Sequence, residues 1–460
     1  MIDSDQLKEA SHQQVIDGDR KIAGGNRTVN DASKSQTYQI FRRAFREYYF
    51  KHGKNIESPT EIKRREFAFR HLGPIGELAR MVRHLTFGSV GEILAMALRE
   101  VPSDLYCSNG YYRFPTYAMQ EKGWLGADLI FDIDTKDLNL PCKTDHSYLI
   151  CESCSQVVKY KKGLERCHSC NSPNLTVESI PCEMCLDGAK KEVRKLLLML
   201  TEDFGIAEHD IQIYFSGNDG FHLYVTDPNF QYLDAQARSE MTGYILGKGL
   251  LPETIGVYRK ARADIGRKGT NNNDDNNDGY SRGNIARYTG DSQVANSKYK
   301  GRRGTQNDFL IRSPRSGPNY GWRKRLYQQL GIKDSFGPKL KNIVQQKGGY
   351  HSFKIELDKI GKELGVNIDP QVTMDVHRVF RLPGTLNSKS GLTKMKCSDL
   401  GTFNPLHDAC LLSDAETKVK IKTPVKLTLK GQMFKMNETI TFLPAYAAIY
   451  LVCKNLAIMI

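Results

Sequence analysis

The sequence lacks any apolar run long enough to cross a bilayer. Its most hydrophobic stretch, residues 442–453, is short and interrupted by Pro444, whereas a spanning helix needs about 20 apolar residues. The opening segment MIDSDQLKEASHQQ is polar and has no apolar centre, so no secretory leader is expected there. Acid is also in deficit. There are 52 Asp and Glu against 66 Lys and Arg, giving a net charge of +14 and a pI near 9.1. That balance argues against a basic partner and suits a polyanion such as nucleic acid, although a merely basic soluble protein would have it too. Disulfide spacing is missing as well. Of 11 cysteines, seven fall between Cys142 and Cys185, mostly as CxxC pairs. This is the pattern of metal binding in a reducing compartment, not of a secreted disulfide frame.

What is present is enough for a large core. The chain has 460 residues, 40% hydrophobic and 26% charged, which allows two or more domains. Residues 1–35 are polar and are expected to be disordered. TYQIFRRAFREYYFKHG (37–53), VGEILAMALREVP (90–102) and KKEVRKLLLMLTEDFG (190–205) have helical spacing. Strand-like runs occur at 128–133, 211–215 and 221–225. This mixture predicts an α/β or α+β core. Residues 265–318 are polar and of low complexity, which predicts a flexible surface insertion. Arg302, Arg303, Arg312 and Arg315 within it could touch a phosphate backbone or simply be solvated. A small helical region is expected over 325–367, and an apolar helix at the C-terminal end.

GADLIFDIDT (126–135) carries Asp132 and Asp134 in alternation with Phe131 and Ile133. On a strand, the two carboxylates share one face and the apolar residues the other. Like charges so placed call for a cation, and Mg2+ or Mn2+ is the usual one where phosphates react. A strand end with two solvated aspartates would read the same way.

The cysteine cluster runs Cys142, His146, Cys151-x-x-Cys154, Cys167-x-x-Cys170, Cys182-x-x-Cys185. Paired CxxC turns place thiolates for tetrahedral zinc, and eight ligands suit two ions. The span 151–170 is compact enough to be one zinc ribbon, with Cys151, Cys154, Cys167 and Cys170. Cys142, His146, Cys182 and Cys185 then close a second site at its base. His168 reads as a bystander. Such closed shells are structural and leave no open catalytic position.

YFSGNDGFHLYV (214–225) reads as strand, turn, strand. Its turn could offer backbone N–H groups and the Ser216 hydroxyl to phosphate oxygens, with His222 on the outgoing strand. A plain hairpin with a core histidine is the competing reading. Further on, Arg378, Arg381 and Lys389 stand near Asp369 and Asp375 in sequence. Cations beside carboxylates are what phosphoryl transfer requires.

Taken in order, RREFAF (64–69), MVRHLTF (81–87), DLYCSNGYYRFPTY (104–117), KGWLGADLIFDID (122–134), PCEMCLDGAKKEVRKLL (181–197), FSGNDGFH (215–222), GWRKRL (321–326), HRVFRLPGTLNSKSGL (377–392) and LPAYAAIYL (443–451) resemble the catalytic small subunit of archaeal and eukaryotic DNA primase, closer to the archaeal form. The resemblance implies an α+β primase–polymerase core of RRM-like type spanning 36–460, with a zinc-binding insertion at 141–186. It implies DNA-templated synthesis of short primers for replication. Asp132, Asp134 and a third acid would hold two catalytic Mg2+ or Mn2+ ions. The third acid is expected on the strand before HRVFRLPG, as Asp369, with Asp375 as the alternative. Ser216 and His222 match the loop on the incoming nucleotide's phosphates. Arg381 and Lys389 match basic positions near the triphosphate, and Arg65 and Arg83 match arginines beside the site. Cys142, His146, Cys182 and Cys185 match the family's zinc knuckle, with the 151–170 ribbon inserted in it. The implied partners are a primase large subunit, single-stranded DNA and NTPs or dNTPs, in the cytoplasm at the archaeal nucleoid, with no membrane.

Two positions depart from the family pattern. Asp219 stands where Ser-Gly-x-Arg-Gly has its arginine, and Asn387 where Ser-Leu-His-Gly-Lys has its histidine. Both changes weaken the expected grip on a triphosphate. They leave room for a catalytically weak or silent nucleic-acid-binding subunit. A stand-alone primase–polymerase preferring dNTPs is the other alternative.

Overall fold

Alternation in the strands and 3.6-residue spacing in the helices account for most of the architecture. The computed structural model describes residues 27–73, 80–260, 308–312, 320–332 and 336–460. It is a mixed arrangement of helices and antiparallel sheets.

One central sheet has the order Met395–Lys396, Ile211–Phe215, Gly220–Val225, Leu129–Asp134, every neighbour antiparallel. Leu129, Phe131 and Ile133 from the edge strand and Phe221, Leu223 and Val225 from its neighbour are wholly buried. They join the main core with the helix Glu183–Glu202, which buries Leu186, Ala189, Val193, Leu196 and Leu200 at intervals of three and four residues. The opposite face of the sheet carries Ile130, Asp132, Asp134, His222 and Tyr224. There Ile130 packs with Val372, Phe380 and Tyr224 in a small separate cluster.

Phe380 belongs to the second sheet. Its order is Val379–Arg381, Asp104–Tyr112, Arg65–Arg70, Met81–Leu85, with Trp124–Ala127 also pairing to Asp104–Tyr112. The residues between the two sheets are therefore the even-numbered ones of the Leu129–Asp134 strand.

Around these sheets several expectations are met and several shift. The first helix runs Arg27–His52 and buries Phe41, Phe45, Tyr48 and Tyr49. It begins inside the segment 1–35 expected to be disordered; residues 1–26 of that segment lie outside the described residues. Three helices, Gly321–Gln329, Phe336–Gln346 and Tyr350–Leu364, occupy the region expected to be helical. Most of the 265–318 insertion, with Arg302, Arg303 and Arg315, lies outside the described residues. Its strand Phe309–Ile311 does not, and it pairs with Val257–Arg259, so this part is sheet and not loop. The apolar helix Ala445–Cys453 forms, but the chain continues into a strand, Ala457–Met459, that pairs with Glu416–Ile421. Among the described residues no helix is long and apolar enough to cross a membrane.

Candidate active site and metal centres

The sheet register builds the site. Asp132 stands opposite His222 and Asp134 opposite Gly220. A Cβ at Gly220 would lie 2.3 Å from Asp134 Oδ1 and 2.4 Å from the Ile133 carbonyl oxygen, so a glycine is needed for the carboxylate to fit. Asp369 enters from far along the chain. Its backbone N–H donates to the Asp132 carbonyl oxygen at 3.0 Å. It is not on a strand, as the sequence led one to expect, but caps the short helix Pro370–Met374, where its carboxylate accepts from the Gln371 N–H at 2.9 Å. Asp375 closes that helix and lies by the other sheet, its carbonyl accepting from Asn109 Nδ2 at 2.8 Å. Of the two candidates, Asp369 is the one whose backbone meets that of Asp132.

The carboxylates are crowded. Burial pushes Asp134 up to about 7, and Asp132 and Asp219 add to the effect. Lys136 opposes it, with Nζ 2.5 Å from Asp134 Oδ2. Burial also pushes Asp137 up, against Lys136, with Asp369 and Asp132 adding. Asp132 behaves differently. Burial works against its charge, but His222, Lys136 and Arg378 outweigh it and hold the carboxyl below its usual range. His222 Nε2 is 3.3 Å from Asp132 Oδ1, a close contact that falls short of hydrogen-bond geometry, so that this oxygen accepts no hydrogen bond among the described residues. A buried, unpaired carboxylate oxygen beside other acids is what a divalent cation satisfies.

The turn Ser216–Gly220 reaches the same edge. Gly217 takes a φ of 87°, which favours glycine. Ser216 Oγ accepts from the Gly220 N–H at 3.2 Å and the Asn218 N–H at 3.4 Å, so those two donors are turned inward. The expected triphosphate motif packs against this turn: Asn387 Nδ2 donates to the Ser216 carbonyl at 3.5 Å, and Ser390 Oγ to the Gly217 carbonyl. Lys389 is exposed. Asp219 lies beside Asp134, and its carbonyl accepts from the Thr135 N–H at 3.1 Å.

Arg381, expected near the triphosphate, and Arg65 and Arg83, expected beside the site, are each paired with an acid. Arg381 is buried, with Nη1 2.5 Å from Asp104 Oδ1 and 2.6 Å from the Leu386 carbonyl oxygen. Arg65 is buried against Asp128 at 2.7 Å, donates to the Ser108 and Asn109 carbonyls, and stacks on Tyr111. Both line a cavity of about 250 Å³ between the sheets, with Asp128, Tyr214 and Tyr224. Arg83 is paired with the buried Glu66 at 2.9 Å. The sequence reading named these arginines but not their acids, because Asp104, Asp128 and Glu66 fall in no recognisable spacing. It also missed Lys136 and Lys394, and no sequence signal marks either.

The cysteines separate into two groups: Cys142, His146, Cys182 and Cys185, and Cys151, Cys154, Cys167 and Cys170, each with its ligand atoms within 4.8 Å of one another. Sulfur–sulfur distances are 3.5 Å for Cys142–Cys185, 3.5 Å for Cys151–Cys170 and 3.6 Å for Cys154–Cys167. His146 Nε2 is 3.2 Å from Cys185 Sγ. Tetrahedral zinc with Zn–S near 2.3 Å spaces its sulfurs by about 3.8 Å, so both groups could hold zinc. His168 belongs to neither and is exposed. The first group follows the acidic strand and closes on the first turn of Glu183–Glu202, the helix that covers the same sheet. The second sits on a three-stranded ribbon, Val157–Lys159, Ser147–Cys151 and Leu175–Ser179. Lys454 ties the ribbon to the site, with Nζ 2.7 Å from Glu178 and 2.9 Å from Asn218 of the turn.

Residues 178–396 match the DNA primase small subunit family. Over 420 residues the chain is 37% identical to the DNA primase small subunit PriS of Nitrosopumilus maritimus, covering 90% of this chain and 96% of that one. It is 36% identical to PriS of Cenarchaeum symbiosum over 91% of this chain and 97% of the relative. To PriS of Methanococcoides burtonii it is 29% identical, over 92% and 98%. The chain belongs to the DNA primase small subunit family.

Proposed function

We propose that the chain is a primase catalytic subunit that makes short primers on single-stranded DNA by nucleotidyl transfer. The observation that carries this reading is the placing of Asp132 and Asp134 on one face of the sheet beside His222 and the Ser216 turn, with the backbone of Asp369 hydrogen-bonded to that of Asp132. Those carboxylates would hold two divalent ions, Mg2+ or Mn2+. Such ions neutralise phosphate charge and favour the ionised 3′ hydroxyl as nucleophile. His222 would donate from Nε2 to a phosphate oxygen. Ser216 would shape the turn that receives the triphosphate, and exposed Lys389 would add charge to it. Arg65, Arg83 and Arg381 would act by bracing the sheet beside the site, because each is already bound to an acid. The two sheets together are read as the RRM-like primase–polymerase core. Zinc in the two cysteine groups would be structural. The net charge of +14 fits a template strand, and a large subunit is the expected partner in a heterodimer, at the nucleoid in the cytoplasm.

The test is labelled-nucleotide incorporation on unprimed single-stranded DNA with Mg2+ or Mn2+, for the chain alone and with its large subunit. NTPs and dNTPs are compared, beside Asp132→Asn and Asp134→Asn. Oligomers that vanish in both variants support the reading. Asp219 favours a second one. It stands beside Asp134 and raises its pKa, where the family pattern has a cation. DNA binding without incorporation from zinc-replete protein would indicate a silent subunit.

A further inference from the structure

Lys454 is a buried lysine, 1% exposed, that directly follows the helix Ala445–Cys453. Its backbone N–H donates to the Tyr450 carbonyl at 3.0 Å, and the helix behind it is buried from Ala445 to Val452. The base of the side chain is therefore fixed by the core, at a helix C-terminus, where a cation is favoured. A buried ammonium needs a counter-charge and hydrogen-bond acceptors. Lys454 Nζ finds them in two segments far away in the chain: Glu178 Oε1 at 2.7 Å and Asn218 Oδ1 at 2.9 Å.

Asn218 is the tip of the Ser216–Gly220 turn. Its own N–H reaches Ser216 Oγ only at 3.4 Å, a weak bond, whereas the Gly220 N–H reaches it at 3.2 Å and the Ser216 N–H reaches the Gly220 carbonyl at 2.9 Å. Asn387 and Ser390 hold the start of the turn, at the carbonyls of Ser216 and Gly217. The tip is held by the Asn218 side chain. Its Nδ2 donates to Asp219 Oδ1 at 2.6 Å, and its Oδ1 accepts from Lys454. An ammonium only donates, so the amide is fixed with its oxygen toward the lysine. Glu178 is constrained as well. It lies on the strand Leu175–Ser179, opposite Tyr148 of Ser147–Cys151. Cys151 ends that partner strand, opposite Leu175, and His146 precedes it, with its carbonyl accepting from the Ile180 N–H at 3.1 Å. The Glu178 carboxylate thus rides on a strand pair with one residue of each cysteine group at its ends.

We infer that Lys454 is a positioning residue that fastens the tip of the Ser216–Gly220 turn to the ribbon, with Glu178 as its counter-charge. Without the Glu178 charge, a buried ammonium is left with a neutral amide, and it gains by turning toward water. Asn218 then loses its partner and the tip loosens. Without Lys454 the tip is freed directly. Both changes act at one place, so together they should do no more than loss of the lysine alone. The kinetic consequence, a weaker grip on a triphosphate, rests on the nucleotide-transfer reading above. The fastening does not.

The experiment is hydrogen–deuterium exchange on full-length, zinc-replete protein, read by mass spectrometry. It follows the turn 216–220, with the strand 129–134 as internal reference. Lys454→Met should raise exchange over 216–220 about tenfold, the size of one hydrogen bond to a charged group, and leave 129–134 unchanged. Glu178→Gln should raise it by a smaller factor, and the double variant should match Lys454→Met. In an active primase the variants should raise the KM for nucleotide in the same order, with kcat little changed. Unchanged exchange over 216–220 in folded Lys454→Met overturns the proposal. So does a double variant whose effect is the product of the two single ones. If Lys454→Met fails to fold, Glu178→Gln, which alters a partly exposed side chain, decides alone: wild-type exchange over 216–220 overturns the proposal, and faster exchange there with 129–134 unchanged upholds it. An inactive wild type with the expected exchange pattern upholds the fastening and sinks the nucleotide-transfer reading instead.

Discussion

The two faces of the strand Leu129–Asp134 share one backbone and serve opposite ends. Leu129, Phe131 and Ile133 are wholly buried under the helix Glu183–Glu202. Asp132 and Asp134 face the other way, crowded with other acids. A single residue of register slip would exchange the two sets. The apolar face therefore supplies the energy that keeps the acidic face in place. Neighbouring positions should fail in different ways when changed.

Asp132→Asn should give the largest functional effect. It removes several kcal/mol of charge stabilisation in the transition state, a loss of roughly a thousandfold in incorporation. The melting temperature should stay near the parent's. A variant that loses activity only in step with its fold would break the comparison.

Phe131→Ala, one residue away, should do the reverse. Deleting a fully buried phenyl ring costs about 3–5 kcal/mol of stability. Chemical denaturation should show that loss, while activity per folded molecule at low temperature is retained.

The cysteine groups extend the contrast. Cys185 is buried in the first turn of the helix over the apolar face, and Cys170 is exposed on the ribbon. Cys185→Ser and Cys170→Ser should each lose one zinc equivalent by metal analysis. Only the first should lower the main thermal transition clearly, because only that group closes on the core. Equal shifts would mean that the ribbon and the core unfold together.

The smallest effect concerns pH. Asp134 is raised to about 7, so below that value it holds a proton that a cation must displace. Stabilisation by Mg2+ or Mn2+ should be fully present at pH 8 and fall as pH drops through 7. Thermal shifts with and without the ion measure it, and a flat profile would remove Asp134 from the ligand set. In the apo protein the raised pKa makes Asp134 a cost that grows as pH rises above the ordinary carboxyl value and is full above about 7, which Asp134→Asn should relieve.

Much of this was legible beforehand. The D-x-D alternation placed the two carboxylates on one face, because side chains on a strand alternate whatever surrounds them. The CxxC pairs sorted into two groups for an equally local reason, the short reach of a tight turn between two sulfurs. The structure moved Asp369 from a strand to a helix cap, since its position depends on a contact with Asp132 and not on its own neighbours. The helix starting at Arg27 was hidden because its opening turns are polar.

Local pattern, then, determined the acidic pair, the two cysteine groups and the helix that backs the sheet. Tertiary structure decided which arginines are already spent on Asp104, Asp128 and Glu66, that the backbone of Asp369 meets that of Asp132, and that Lys394 meets His222. Those are contacts between residues on different elements. A sequence shows that a cation is present, but the partner that fixes its role is chosen only when the strands pair and pack.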